Sequence, residues 1–203
     1  MELMAQGGLI MWPLLAISIV ALALIVERFL LLFSCPFPGR AFDSLLRDAV
    51  REGDLRPLAK TMSAVPLLKP FAAVLADGAH PHREAALKME GEQVLRRLEA
   101  RLPFLGLLAR LAPLLGLLGT VVGMIATFSR IASAKSGVDM SMLADGIWQA
   151  LLTTATGLVI AIPILLCLGL IRGRVRRIGA ALADAGNAAL MLAAGKKGEG
   201  SDA

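Results

Sequence analysis

Three long stretches without a charged side chain constrain what this chain can fold into. Gly7 to Val26, Leu111 to Ser129 and Gly146 to Ile171 contain no Asp, Glu, Lys or Arg. Each is near or above the ~18 residues that mark a membrane-spanning helix. A soluble helix can be this apolar on one face, but not all round over such a length. The expected fold class is all-α: an integral membrane protein with three transmembrane helices. Of its 203 residues 57% are hydrophobic, against ~45–50% in ordinary soluble domains, and these stretches hold the excess.

The first stretch does not read as a cleaved signal peptide. Its leading segment carries Glu2 and no Lys or Arg, no A-x-A site follows in range, and the apolar run continues past Glu27-Arg28 into FLLLF. A retained helix over Leu9 to Phe33 is expected. The segment before it has no basic residue, Ser34 to Arg101 has eleven, the short link Arg130 to Asp145 has two and the tail from Arg172 has six. The positive-inside rule then places the N-terminus outside, in the periplasm, and the long loop and C-terminus in the cytoplasm. This is a multi-pass topology for a cell inner membrane. Flanking basic residues account for the net charge of +5 without a nucleic-acid partner. The lipid bilayer is the partner they imply. Cys35 and Cys167 are expected as reduced thiols.

The chain divides into 1–33, the N-terminus and first span; 34–102, a helical loop; 103–171, the second and third spans; and 172–203, a helical arm with a tail. In the loop, Phe42, Leu45, Leu46, Ala49 and Val50 have helical spacing. Gly53 can stop that helix, and Asp54 can cap a short one over Leu55 to Met62. Pro66 and Pro70 interrupt the chain. His82 to Leu102 is amphipathic and leads into the second span, with a bend expected near Pro103. The third span is expected to continue helically as RGRVRRIGAALADAGNAALMLAA, and Lys196 to Ala203 to be a disordered tail. Helices two and three thus extend into the cytoplasm. His80 and His82 lack further ligands for a metal site, and no nucleophile–base pair is visible. Neither an enzyme nor a cofactor is expected.

The chemistry lies in the second and third spans. Gly116, Thr120, Gly123 and Thr127 fall on one helical face, and Gly119 pairs with Gly123 as GxxxG. Ala150, Thr154, Gly157 and Ala161 repeat the spacing in the third span. Small residues let membrane helices approach closely and hydroxyls bond across the contact, so a packed hairpin is one reading. A pore-lining stripe is the other, since several copies of such a face can surround a narrow wet passage. Leu111 to Ser129 and Gly146 to Ile171 contain no Asp, Glu, Lys, Arg or His, and membrane ion pathways generally use an ionisable side chain. Either the chain is not an ion pathway, or a partner brings the ionisable group.

LAPLLGLLGTVVGMIATF, followed after a short link by LADGIWQALLTTATGLVIAIP, resembles the paired signature of the MotA/TolQ/ExbB proton-channel family. GGLIMWPLLAISIVALALIVERF resembles the ExbB-type opening. The resemblance implies an oligomeric ring, a homopentamer. Its second and third helices line a pore around an ExbD/TolR-like single-span protein that carries an essential aspartate. An ExbB-type ring energises a TonB-like protein by proton-motive force; a TolQ-type ring serves a Tol–Pal system. Thr120 and Thr154 match the family's pore threonines. Gly116, Gly123 and Gly157 match the small positions around them, and Pro163 matches the AIP break. Where the family usually has a glutamate, five residues before the third-helix threonine, this chain has Gln149. Either that glutamate is not obligatory, or Asp145 supplies the charge; Asp145 equally suits a solvated helix start. A non-conducting scaffold and a flagellar stator of the MotA type are the rival readings, the stator weakened by its usual four spans.

Overall fold

A computed structural model describes residues 8–33, 35, 37–39, 41–78, 82–133 and 140–199. Every regular element among them is helical. The helices are α1 (Met11–Phe33), α2 (Phe42–Glu52), α3 (Arg56–Ser63), α4 (Lys69–Ala76), α5 (Arg83–Glu99), α6 (Leu102–Ser133) and α7 (Met140–Glu199), with a 3-10 turn at Pro66–Leu68 before α4. Three helical stretches are long and apolar enough to cross a membrane: Met11–Phe33, Arg83–Ser133 and Met140–Gly195. In their most apolar windows only 22%, 22% and 28% of residues are buried, so most of that apolar surface faces outward, as lipid contact requires. A helix suits that setting because its backbone N–H and C=O groups pair within the segment.

The chain forms two compact units. The first comprises α1 to Glu27, α6, and α7 to Leu170. On α1 the residues Met11, Leu14, Ile17 and Ala21 are buried, a one-sided stripe at helical spacing. Glu27, near the far end of this part of α1, is ion-paired with Arg101.

The second unit comprises the rest of α1, α2 to α5, and α7 from Ile171. Its core includes Leu58, Met62, Leu68, Phe71, Leu75, Leu98 and Ile178. Gly53 ends α2 in the left-handed conformation, φ 70°, which glycine adopts without steric cost. Asp54 Oδ1 accepts the Arg56 amide at 2.9 Å, starting α3 one residue later than the sequence suggests. Phe37 meets Phe42 edge to face, ring centroids 5.0 Å apart. Arg28 is only 4% exposed. Its Nη1 donates to the Arg97 carbonyl at 3.0 Å and the Leu98 carbonyl at 3.3 Å, acceptors in the last turn of α5 that the helix itself leaves open. Arg83 does the same for α4, donating Nη2 to the Leu75 carbonyl at 2.7 Å. Cys35 is 1% exposed. Burial pushes its thiol pKa up, against the backbone of Phe37 and the charge of Arg174, which lower it.

Several expectations need correction. Pro70 does not interrupt the chain; it sits in the first turn of α4, where its missing N–H has no intrahelical partner to lose. The bend expected near Pro103 is a break at Ala100-Arg101, two residues before that proline. Ala100 is extended at ψ 135° and Arg101 has φ 70°, while Pro103 lies in the first turn of α6. The helix α7 persists through Lys196 to Glu199 where a disordered tail was expected; residues 200–203 lie outside the described residues. So do His80 and the link 134–139. His82 stands at the N-terminal boundary of α5.

Candidate functional site

The first unit contains the hairpin face of α6 and α7. The glycines there measure how close the two backbones come. A Cβ on Gly157 would stand 2.6 Å from the Ala112 carbonyl oxygen and 3.2 Å from Gly116 Cα. A Cβ on Gly116 would meet the Thr153 carbonyl oxygen and Thr154 Cα, both at 3.0 Å. One on Gly119 would lie 2.5 Å from Thr153 Oγ1, and one on Gly146 would collide with Thr127 Oγ1. Gly123 is looser, 3.5 Å from Ala150 Cβ. Only glycine lets backbones approach like this, and in a membrane such packing drives helix association.

Hydroxyls close the contact. Thr154 Oγ1 donates across the hairpin to the Gly116 carbonyl at 2.9 Å. Thr153, 2% exposed, donates to the Ala150 carbonyl at 2.7 Å and lies 3.5 Å from the Gly116 carbonyl. Thr127 donates to the Gly123 carbonyl at 2.9 Å, and Thr120 to the Leu117 carbonyl at 2.7 Å. Both of these bonds stay within α6.

The buried stripes differ by one residue from the expected ones. On α6 the contact runs through Ala112, Gly116, Gly119 and Thr127, with Thr120 half-buried beside it. On α7 it runs through Gly146, Ala150, Thr153, Gly157 and Ala161, with Thr154 half-buried at its margin. Thr154 is level with Gly116, one turn short of Thr120. Thr153 and Gly146 were missed, although each lies a helical step from Ala150. Pro163 does not break the helix: α7 runs through it, at the cost of one intrahelical hydrogen bond, and Pro163 itself is exposed. Pro113 is accommodated inside α6 in the same way.

Gln149 is half-buried. A Cβ on Gly8 would stand 3.1 Å from its Nε2, so the amide lies against the chain just before α1. Gly8 has φ +71°, so glycine serves both backbone and neighbour there. Gln149 also lines a polar depression of about 520 Å³ with Thr127, Arg130, Asp145 and Trp148. Asp145 is exposed in that depression and is not a helix-start residue, because α7 begins at Met140. Among the described residues no group of three or more His, Cys, Asp or Glu could hold a metal ion.

The family model described as the MotA/TolQ/ExbB proton channel family matches residues 56–183. The chain belongs to this family. It is 33% identical over 171 residues to the biopolymer transport protein exbB1 of Vibrio cholerae serotype O1, covering 80% of this chain and 74% of that protein. It is 33% identical over 171 residues to the putative biopolymer transport protein ExbB-like 1 of Synechocystis sp., covering 79% and 66%. It is 37% identical over 93 residues to the Tol-Pal system protein TolQ of Haemophilus influenzae, covering 46% and 40%. The family match takes in α6 and the span of α7, so the glycine–threonine hairpin belongs to the part shared with MotA/TolQ/ExbB proteins.

Proposed function

We propose that the chain is the ring-forming subunit of an ExbB-type motor in the inner membrane, with α6 and α7 lining the proton path. One observation carries this reading. The hairpin faces are built of glycine, alanine and threonine, yet no Asp, Glu, Lys, Arg or His occurs from Leu111 to Ser129 or from Gly146 to Ile171. A proton relay in a membrane uses an ionisable group, so another chain supplies it. An ExbD/TolR-like single-span partner with a membrane aspartate fits that need. A homopentamer encloses the partner, and a TonB-like protein receives the work. The basic loops support a periplasmic N-terminus and a cytoplasmic C-terminus. The chain performs no covalent chemistry in this reading. Thr154 contributes a hydroxyl that bonds the Gly116 carbonyl when the path is dry and a water or the partner's carboxyl when it is wet.

The test is proton flux in vesicles holding the chain with and without an aspartate-bearing partner. Partner-dependent flux that Thr154→Val abolishes is the expected result. No flux under either condition would leave a non-conducting scaffold. A TolQ-type role is the second reading, supported by the 37% identity over 93 residues to a TolQ protein. The 80% coverage of this chain by the exbB1 alignment favours the ExbB type. Neighbouring genes discriminate: a TonB-like or outer-membrane receptor gene supports import, a Pal-like lipoprotein gene supports the Tol–Pal role.

A further inference from the structure

The part of α7 that follows its apolar span is basic on the side turned away from its unit's core. Arg172, Arg176 and Arg177 are exposed, whereas Ile171, Val175 and Ile178 are buried. No Asp or Glu occurs between Asp145 and Asp184. None of the three guanidiniums joins an ion pair among the described residues. On an α-helix, residues three and four apart are neighbours. Arg176 and Arg177 therefore lie one turn beyond Gly173, and Arg172 is stacked on Arg176. At Gly173 an added Cβ would meet nothing within 4 Å. Glycine is the poorest helix former after proline, and no close neighbour within the described chain requires it here. It leaves a bare backbone notch with arginines around it. Arg174 faces elsewhere, its charge acting on the Cys35 thiol.

Depth decides the chemistry. Ile171 ends the uncharged stretch. At about 1.5 Å per residue, Arg172 to Arg177 lie within roughly 9 Å of that end. The headgroup zone on each side of the ~30 Å hydrocarbon core is of similar thickness. Arginine's planar fork matches phosphate oxygens in pairs. A zwitterionic headgroup brings its own cation and offers the three guanidiniums no net negative charge; an anionic one does. We propose that Arg172, Arg176 and Arg177, around the notch at Gly173, bind the phosphodiester headgroup of an anionic phospholipid such as phosphatidylglycerol. The inference rests on the membrane-spanning fold and not on the motor reading, so each can fail without the other.

The test uses the full chain in phosphatidylcholine bilayers with trace spin-labelled phosphatidylglycerol or spin-labelled phosphatidylcholine. The readout is the fraction of label immobilised by protein. A basic residue near an anionic surface is worth about fivefold in association, so several-fold selection of phosphatidylglycerol is expected. Arg176→Gln with Arg177→Gln should bring selection close to the phosphatidylcholine level. Gly173→Leu, which keeps every charge but fills the notch, should reduce it at least twofold. Arg47→Gln with Arg51→Gln, exposed charges on α2, should leave it unchanged. The proposal is overturned by equal retention of the two lipids, by selection that survives the double arginine variant or Gly173→Leu, or by displacement of the lipid with millimolar inorganic phosphate, which would indicate a free-anion site.

Discussion

Thr154 donates its hydroxyl to the backbone carbonyl of Gly116 across 2.9 Å, while Thr153, its neighbour, is buried against the same carbonyl. Two adjacent hydroxyls thus converge on one acceptor. Interhelical bonds of this kind contribute about 0.6 kcal/mol on average, with a maximum near 1.7. Thr154→Val should therefore cost no more than about 1–2 kcal/mol in a reversible unfolding assay in mild detergent and leave assembly intact, yet abolish partner-driven work. Normal proton-driven uptake in that variant would count decisively against a path through Thr154.

Thr153 acts differently. Its hydroxyl stays on the Ala150 carbonyl at 2.7 Å, and its side chain fills the space Gly119 leaves open. Thr153→Val conserves the shape and loses the buried hydroxyl, so it should destabilise the hairpin by about 1 kcal/mol. Bulkier Thr153→Leu should cost about 1–3 kcal/mol through overpacking. Thermal denaturation of the two variants checks the order.

The glycines should not be equivalent. Gly157→Ala forces a Cβ to 2.6 Å from a backbone oxygen that cannot swing away, and should cost about 1–3 kcal/mol with weaker assembly by size-exclusion chromatography. Gly123→Ala finds ordinary contact at 3.5 Å and should be neutral or slightly stabilising, since alanine is the better helix former. Equal effects would mean that the backbones are less close than described.

Arg28→Gln removes a buried guanidinium from the Arg97 and Leu98 carbonyls. Hydrogen bonds to charged groups contribute about 1.5–3 kcal/mol, and a loss of that order is expected. Hydrogen exchange should rise in the last turn of α5. Unchanged protection there would show that the carbonyls are satisfied without Arg28.

Asp145→Asn should leave partner-dependent flux within about twofold. Asp145 is exposed in the depression that Gln149 lines, where water already solvates its charge. A loss comparable to that of Thr154→Val would instead make Asp145 the stand-in for the missing glutamate.

The spans were legible because freedom from charge over a given length is a property of sequence alone. The same holds for the Gly53 stop and the Asp54 turn, which are local. The contact stripe was only half legible. Gly119 and Thr120 both fit a helical repeat through Gly116 and Gly123, as Thr153 and Thr154 do through Ala150 and Gly157. Which of each pair faces inward depends on the rotation of the facing helix, which one helix's spacing cannot express. The break at Ala100-Arg101 was legible only to within a few residues, as a bend near Pro103. Pro103 marks the neighbourhood, but Arg101 has a left-handed backbone that its residue type does not advertise. Pro70 misled in the opposite sense, since a first-turn proline looks like a breaker until the helix it begins is seen.

The burial of Cys35 bears on how this protein can be probed. A raised thiol pKa and 1% exposure leave little accessible thiolate, the form that attacks maleimides. Cys167, half-buried in an apolar span, is similarly shielded from water-soluble reagents. The natural chain is therefore a quiet background for labelling. A single cysteine introduced at Glu2 or near Asp202, reacted with an impermeant maleimide on intact and on opened cells, would report the sidedness of each end without first replacing the native thiols.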